Sequence, residues 1–165
     1  MNSIFETAAP SKAADAEKQR ILLVDDDPAI RQILVRLLTE ENYLVLTAAN
    51  GVEALVLNES TQFDLVLLDL NMPVKNGWET FEQLTSQDPL VPVILITARP
   101  NQFFPALASG AGALLEKPLD LTRLLHTIRT LLDESEELRL SRLAGRSSAF
   151  SYAPPAHSEA DRHTR

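Results

Sequence analysis

The chain has 165 residues, enough for one domain of ordinary size with a hydrophobic core and some additional tail. It contains no cysteine, which excludes disulfides, thiolate metal sites and cysteine nucleophiles and fits a reducing compartment. The net charge of −8 belongs entirely to the stretch between Ile21 and Asp133, where 15 acidic side chains outnumber 7 basic ones. Such a stretch lacks the positive charge that nucleic acids require, and it would bind cations or basic partner surfaces more readily.

The sequence carries no signal for a membrane or for export. No apolar run approaches the roughly 20 residues of a membrane-spanning helix, and the polar first residues lack the apolar segment of a signal peptide. We therefore expect a soluble cytoplasmic protein that does not contact membranes. Residues 1–18 are rich in Ala, Ser, Lys and Glu without a sustained apolar stripe, which predicts a flexible lead-in.

The folded domain is predicted from residue 19 to residue 133. It opens with the apolar run at 21–24, which ends in three consecutive acids, Asp25, Asp26 and Asp27. Pro28 suits the first turn of a helix and Asp27 is placed to cap it, while apolar residues recur at helical spacing through residues 29–41. The same alternation continues along the chain, with strands predicted at 43–47, 63–69, 91–96 and 113–115 and helices at 52–58, 78–86, 102–109 and 119–132. This order predicts a (βα)₅ domain, in which a five-stranded parallel sheet is covered by helices on both faces.

Two segments follow the domain. Apolar residues continue thinly through residues 134–145, which predicts an extension of the last helix or a segment that pairs with a partner. Residues 146–165 are rich in Ser, Ala and Pro, so we predict a disordered tail.

The third predicted strand carries the strongest candidate for a functional residue. Residues 65–68 are all apolar, which is typical of a central parallel strand that is buried on both faces, and Asp69 ends that strand. In open α/β sheets, ligands bind in the crevice at the carboxyl ends of the strands. Other strand ends deliver polar groups to the same edge, namely Asp25 with Asp26, Thr97 and Lys117. We therefore expect these residues to converge on one site.

The carboxylates of this site repel each other and need a compensating cation. Hard oxygen ligands suit Mg²⁺, which takes few protein groups and keeps waters and phosphate oxygens as its other ligands. A lysine and a threonine hydroxyl beside the acids would supply what a phosphoryl oxygen needs, since phosphoryl transfer depends mainly on positioning and charge neutralisation. One carboxylate can then act as the nucleophile, as in aspartyl-phosphate chemistry.

Four motifs are together highly specific, although each is weak alone: ILLVDDDP at 21–28, LVLLDLNMP at 65–73, ILITA at 94–98 and EKP at 116–118. In this order and at this spacing, the stretch 19–133 resembles the receiver domain of two-component response regulators. The resemblance implies a doubly wound, flavodoxin-like receiver fold in which Asp69 accepts a phosphoryl group from a histidine kinase or a phosphotransfer protein. It also implies that Thr97 moves toward the phosphoryl group and that Lys117 pairs with it.

The same resemblance implies a Mg²⁺ site. Asp25 and Asp26 would be its acidic ligands together with Asp69, and Asp26 would bind more directly than Asp25. The backbone carbonyl of Asn71 would be a further ligand.

The sequence departs from the family's pattern near the expected output surface. Leu114 lies three residues before Lys117, where receivers often have a switching tyrosine or phenylalanine. Arg99 would either contact the phosphoryl group or lie in the loop as a solvated cation. We expect Phe103 and Phe104 to pack in the interior, and either ring, if exposed, would form a docking patch.

The expected function is a phosphorylation-dependent switch or relay module that alters the surface of its fourth helix, fifth strand and fifth helix for an unknown downstream partner. The protein would not be an enzyme, because it would assist only its own phosphorylation and dephosphorylation. A degenerate receiver that binds its partner constitutively is the alternative, and a second copy of the chain is a further candidate partner. A haloacid dehalogenase also uses an aspartyl nucleophile, but it requires an acid two residues later, where this chain has Asn71.

Overall fold

A computed structural model of the chain describes residues 17–73, 76–146 and 149–156. Over these ranges the chain forms one parallel sheet of six strands in the order β2-β1-β3-β4-β5-β6. The strands are β1 (Arg20–Val24), β2 (Leu44–Ala48), β3 (Leu65–Asp69), β4 (Val93–Thr97), β5 (Ala113–Glu116) and β6 (Ser151–Ala153). Residues 1–16, most of the predicted lead-in, lie outside the described part of the chain.

Helices connect the strands and confirm the predicted α/β class. They are α1 (Pro28–Glu40), α2 (Gly51–Ser60), α3 (Gly77–Gln87), α4 (Phe103–Ser109), α5 (Leu121–Leu132) and α6 (Glu136–Leu143). In the described ranges, none of these helices has the length and apolar character needed to cross a membrane.

The sheet separates the hydrophobic core into two layers, because its central strands are apolar on both faces. Every residue of β3 and of β4 is buried. Leu68 and Phe81 belong to one layer, with residues from α2, α3 and α4. Leu67 and Ile128 belong to the other layer, with residues from α1 and α5. With both faces covered, a ligand can approach the carboxyl ends of the strands and the loops that follow them.

The sixth strand corrects the prediction of a disordered tail at 146–165. Ser151–Ala153 pairs in parallel with β5, and Ala153 is only 4% exposed. Composition misses this strand because it is three residues long and is surrounded by Ser, Ala and Pro. Its stability depends on the edge of β5, since such a short segment cannot form a strand in isolation. Residues 157–165 lie outside the described part of the chain.

Residues 134–145 do not extend the last helix, so that alternative is wrong, and pairing with a partner stays a prediction. Helix α5 ends at Leu132, and a separate helix α6 begins after Ser135. The side chain of Ser135 caps this new helix by accepting a hydrogen bond from the backbone N–H of Leu138 at 3.3 Å. The cap interrupts the apolar spacing that suggested a continuous helix.

A buried arginine holds α6 against the connection between α4 and β5. Arg142 is 5% exposed, forms an ion pair with Glu134 and donates from Nε to the carbonyl of Gly110 at 3.3 Å. Because α6 is fixed at the start of β5, the chain that leaves it can run along the edge of β5 as β6.

Candidate functional site

The carboxyl ends of β1, β3, β4 and β5 meet at one edge of the sheet, as the parallel topology requires. Asp25 follows β1 and Asp69 ends β3, and both residues are only 1% exposed. Lys117, directly after β5, places its Nζ 2.9 Å from Oδ2 of Asp69 and 3.6 Å from Oδ2 of Asp25. One ammonium group therefore contacts two buried carboxylates.

A third acid completes a cluster that can hold a divalent cation. Carboxylate oxygens of Asp25, Asp26 and Asp69 all lie within 4.8 Å of one another. Oδ2 of Asp25 is buried and accepts no hydrogen bond from the described residues, so this oxygen is available as a ligand. The donor set consists of hard, negatively charged oxygens, and the chemistry of these residues therefore fits Mg²⁺.

The three consecutive acids after β1 have different surroundings. Asp27 caps α1 by accepting a hydrogen bond from the backbone N–H of Ala29 at 2.9 Å. The backbone N–H of Asp27 donates to Oδ1 of Asp25 at 2.9 Å, and Arg31 donates from Nη1 to the carbonyl of Asp25 at 2.6 Å. Asp26 is exposed. The start of the helix thus fixes the buried acid in place and leaves its neighbour open to solvent.

The side chain of Asn71 joins the loops after β3 and β4, a role that the sequence did not predict. Its backbone N–H donates to Oδ1 of Asp69 at 2.8 Å. Its side-chain Oδ1 accepts hydrogen bonds from the Thr97 hydroxyl at 3.2 Å and from the backbone N–H of Ala98 at 2.8 Å. An asparagine after a strand end signals a local turn, but the partners from β4 are distant in sequence. The predicted role of its backbone carbonyl as a metal ligand stays a prediction.

Thr97 lies where the sequence places it, at the end of β4, and is fully buried. Its Oγ1 accepts a hydrogen bond from the backbone N–H of Arg99 at 3.0 Å, so the hydroxyl holds the loop that leads into α4. Arg99 is exposed, and together with Asn71 and Trp78 it lines a cleft of about 410 Å³ beside the end of β3.

The residues near the expected output surface differ from one another in burial. Leu114 is fully buried in β5, in register with Leu95 of β4 and Tyr152 of β6. The expectation of interior packing is confirmed for Phe103, which packs against the core, and is wrong for Phe104, which is 77% exposed. Consecutive residues of an α-helix point about 100° apart, so only one of these two rings can face the sheet.

Burial and crowding shift the pKa values at the site. Burial raises the pKa of Asp25, and the negative charges of Asp69 and Asp26 add to this, against the hydrogen bond from Asp27 and the charge of Lys117. Burial alone would lower the pKa of Lys117, but the hydrogen bond and charge of Asp69, together with Asp25, outweigh it and leave that pKa raised. Lys117 therefore stays protonated at neutral pH. The ionised form of the Asp25 carboxylate destabilises the folded protein.

We expect Asp25→Asn to be more stable than the wild type at pH 7 without Mg²⁺, by on the order of 1 kcal/mol. Because the folded protein holds the Asp25 proton more tightly than the unfolded chain, Asp25 contributes stability below its ordinary pKa of 3.8 and loses it as the pH rises through the folded-state pKa. Asparagine cannot ionise and avoids this loss.

Urea denaturation between roughly pH 3 and pH 7.5, with a chelator present, measures the difference in the free energy of unfolding. The difference in the free energy of unfolding between Asp25→Asn and the wild type should disappear as the pH falls below 3.8. The exposed acid variant Glu82→Gln serves as the control and should show no such pattern. Equal or lower stability of Asp25→Asn at pH 7 would contradict the expectation.

The sequence model of the response regulator receiver domain matches residues 21–129 of this chain. Response regulator MprA of Mycobacterium sp. (strain KMS) is 42% identical over 115 residues, which is 68% of this chain and 50% of that protein. MprA of Mycobacterium ulcerans (strain Agy99) is 41% identical over 115 residues, again 68% of this chain and 50% of that protein. The chain spans about half the length of the curated relatives it matches.

Solved structures of receivers share the fold. A CheY-like response regulator receiver domain protein from Methanospirillum hungatei JF-1 is 34% identical with a TM-score of 0.69, covering 73% of this chain and 98% of that one. Response regulator TrrA from Thermotoga maritima, solved in complex with Mg(2+)-BeF, is 34% identical with a TM-score of 0.64, covering 68% of this chain and 98% of that one. With its strand-end acids and lysine on such a fold and the family match over most of the domain, this chain belongs to the response regulator receiver domain family.

Proposed function

We propose that this protein is a phosphorylation-dependent switch or relay module that accepts a phosphoryl group on Asp69 in the presence of Mg²⁺. The observation that carries the proposal is the position of Asp69, buried at the end of β3, 2.9 Å from Lys117 and within the cluster formed with Asp25 and Asp26. A histidine kinase or a phosphotransfer protein is the proposed donor, in keeping with the family. The proposed location is the cytoplasm.

The residues of the site suit transfer to a carboxylate. An oxygen of Asp69 forms a bond to phosphorus while the bond between phosphorus and the donor's leaving atom breaks. Lys117 faces Oδ2 of Asp69 and would balance negative charge on the incoming phosphoryl oxygens. The backbone N–H of Asn71 orients the carboxylate through Oδ1. Mg²⁺, held by the three acids, would neutralise further negative charge.

The same residues suit a switch. The new phosphoryl group adds negative charge beside Lys117 and close to the loop that Thr97 holds. Thr97 and its loop would shift toward the new oxygens, and Asn71 connects this loop to the end of β3. The change would reach the surface of α4, β5 and α5, where an unknown downstream protein or a second copy of the chain would bind.

We do not propose turnover of an external substrate; the protein would assist only its own phosphorylation and dephosphorylation. A constitutive binding module remains the alternative, and the observation that favours it is Leu114, which leaves β5 without the aromatic ring that receivers often have there. The matched residues make up about half of each curated relative. Activities that belong to the other half of those proteins are not part of this proposal.

The proposal is tested by incubating the protein with Mg²⁺ and acetyl phosphate, with Asp69→Asn as the matched control. Intact mass should show an acid-labile phosphoryl adduct only in the protein that has Asp69. Size-exclusion chromatography of the same samples would report dimerisation as a change in elution. An adduct that persists in Asp69→Asn, or no adduct in either protein, would reject the phosphoacceptor and favour the constitutive binding module.

A further inference from the structure

The C-terminal segment 149–156 runs beside β5 and reaches the loop that carries Lys117. In register, Ser151, Tyr152 and Ala153 pair with the first three residues of β5. Just before β5 begins, the carbonyl of Gly112 accepts a hydrogen bond from the backbone N–H of Ser151 at 3.1 Å. Beyond the strand, the backbone N–H of Ala156 donates to the carbonyl of Pro118 at 2.8 Å.

Aromatic rings tie the same segment to the start of α4. The ring of Phe103 contacts Phe150 at a centroid distance of 5.6 Å and Tyr152 at 5.3 Å, and both pairs are close to perpendicular. This edge-to-face arrangement is the favoured geometry for aromatic pairs. Phe103 is the first residue of α4, so these rings sit at the end of the loop that Thr97 holds.

A hydrogen bond also connects the segment to the end of β5, next to the loop that carries Lys117. The hydroxyl of Tyr152 donates to Oε1 of Glu116 at 3.0 Å, and Glu116 directly precedes Lys117. Tyr152 therefore contacts the residues that begin α4 and end β5. Both elements are joined to the loops that flank Asp69.

We propose that residues 149–156 are an internal ligand of the α4–β5 side of the domain, and that phosphorylation of Asp69 weakens the binding of this segment. This inference rests on the proposed function. The segment fits the unphosphorylated arrangement, in which Lys117 contacts Asp69 and Asp25. Phosphoryl oxygens on Asp69 would draw Lys117 and Thr97 toward them and so move the positions of Glu116, Pro118 and Phe103.

The segment is suited to release because its docked area is small. The strand has only three residues, and Tyr152 keeps 39% of its surface exposed. Pro154 and Pro155 follow at once and have no N–H to extend the pairing. Such an edge element can open locally at a lower cost than global unfolding. Its departure would uncover the edge of β5 and the ring of Phe103 for a partner that adds an extended strand with aromatic side chains.

Amide hydrogen exchange of the full chain, followed by NMR with Mg²⁺, tests the inference. Beryllofluoride serves as the phosphoryl analogue. Its binding at Asp69 is followed separately, by the shift of the Asn71 backbone amide. We expect the amides of Ser151 and Ala156 to exchange at least about fivefold faster with the analogue bound, an effect in the usual range of coupling between two sites. The amides of β1 should not change, and Asp69→Asn should show no response.

The outcomes separate the two proposals. Beryllofluoride bound at Asp69 with unchanged or slower exchange at Ser151 and Ala156 would overturn this inference and leave the phosphoacceptor proposal standing. If Asp69 takes up neither beryllofluoride nor a phosphoryl group, both proposals fall.

Reciprocity supplies a second measurement that does not depend on exchange rates. If phosphorylation weakens the docking of the segment, then release of the segment must strengthen binding of the phosphoryl analogue, by up to the same factor when release is complete. We expect Tyr152→Ala to bind beryllofluoride about fivefold more tightly than the wild type. Tyr152→Phe, which keeps the ring and loses the hydrogen bond to Glu116, should lie in between. Leu140→Ala, at a 51% exposed position on α6, is the control. Unchanged affinity in Tyr152→Ala would overturn the inference.

Discussion

Lys117→Met should slow phosphoryl transfer to Asp69 by a factor on the order of 10² to 10³, the usual effect of removing one group that stabilises developing charge. Methionine has a similar length but carries no charge, so the incoming phosphoryl oxygens lose the ammonium group that faces Oδ2 of Asp69 at 2.9 Å. The rate at which the acid-labile adduct forms with acetyl phosphate and Mg²⁺ measures this effect.

Lys117→Met should bind Mg²⁺ more tightly, although it slows phosphoryl transfer to Asp69. Lys117 repels any cation that enters the acidic cluster, because its ammonium lies 2.9 Å from Asp69 and 3.6 Å from Asp25. Without this repulsion we expect Mg²⁺ affinity to rise by about tenfold, a change of roughly 1.4 kcal/mol. Isothermal titration calorimetry of the two proteins measures the difference.

Without Mg²⁺, the variant should be less stable. Asp25 and Asp69 would be left buried without a cation, and the loss of one partner from a buried ion pair typically costs about 3 kcal/mol or more. Added Mg²⁺ should restore most of this loss in the free energy of unfolding. Arg123→Met removes an exposed cation from α5 and is the matched control. Weaker Mg²⁺ binding in Lys117→Met would refute the electrostatic account of the site.

Gly77→Ala should destabilise the domain by about 3 kcal/mol, at the upper end of the usual cost of overpacking. Gly77 begins α3 and lies against the end of β3. A Cβ at this position would lie 2.4 Å from Cα of Leu70 and 2.8 Å from the carbonyl oxygen of Asp69. Both atoms belong to the backbone, so no side-chain rotation relieves the overlap and α3 must move away from the site.

Because the displaced atoms belong to Asp69 and its neighbour, Gly77→Ala should also slow the phosphorylation of Asp69. Urea denaturation and the rate of adduct formation give the two measurements. Gly145→Ala is an informative comparison: its Cβ would meet no atom within 4 Å, but its φ of +81° is strained for alanine. We expect that variant to lose roughly 1 kcal/mol and to keep its phosphorylation rate. Normal stability and phosphorylation in Gly77→Ala would show that α3 can shift without disturbing β3.

The five alternating βα units and the edge at which the candidate site lies could be predicted from the residue pattern alone. Apolar runs such as that before Asp69 can be buried only between two layers of helices, which requires a parallel sheet. In a parallel sheet the strand ends share an edge, so Asp25, Asp69, Thr97 and Lys117 had to approach one another. Turn signals such as Pro28 placed the helix starts close to where they lie.

Features that depend on a partner distant in sequence could be seen only in the folded chain. The strand Ser151–Ala153 is too short and too polar in its surroundings to be recognised alone, and it exists because β5 offers an edge. The contact of Gly77 with the end of β3 and the hydrogen bonds of the Asn71 side chain join loops that are separate in sequence. Local propensity reflects the interactions of a residue with its neighbours in the chain. The contacts described here form only when packed elements bring atoms that are distant in sequence within hydrogen-bonding or van der Waals distance.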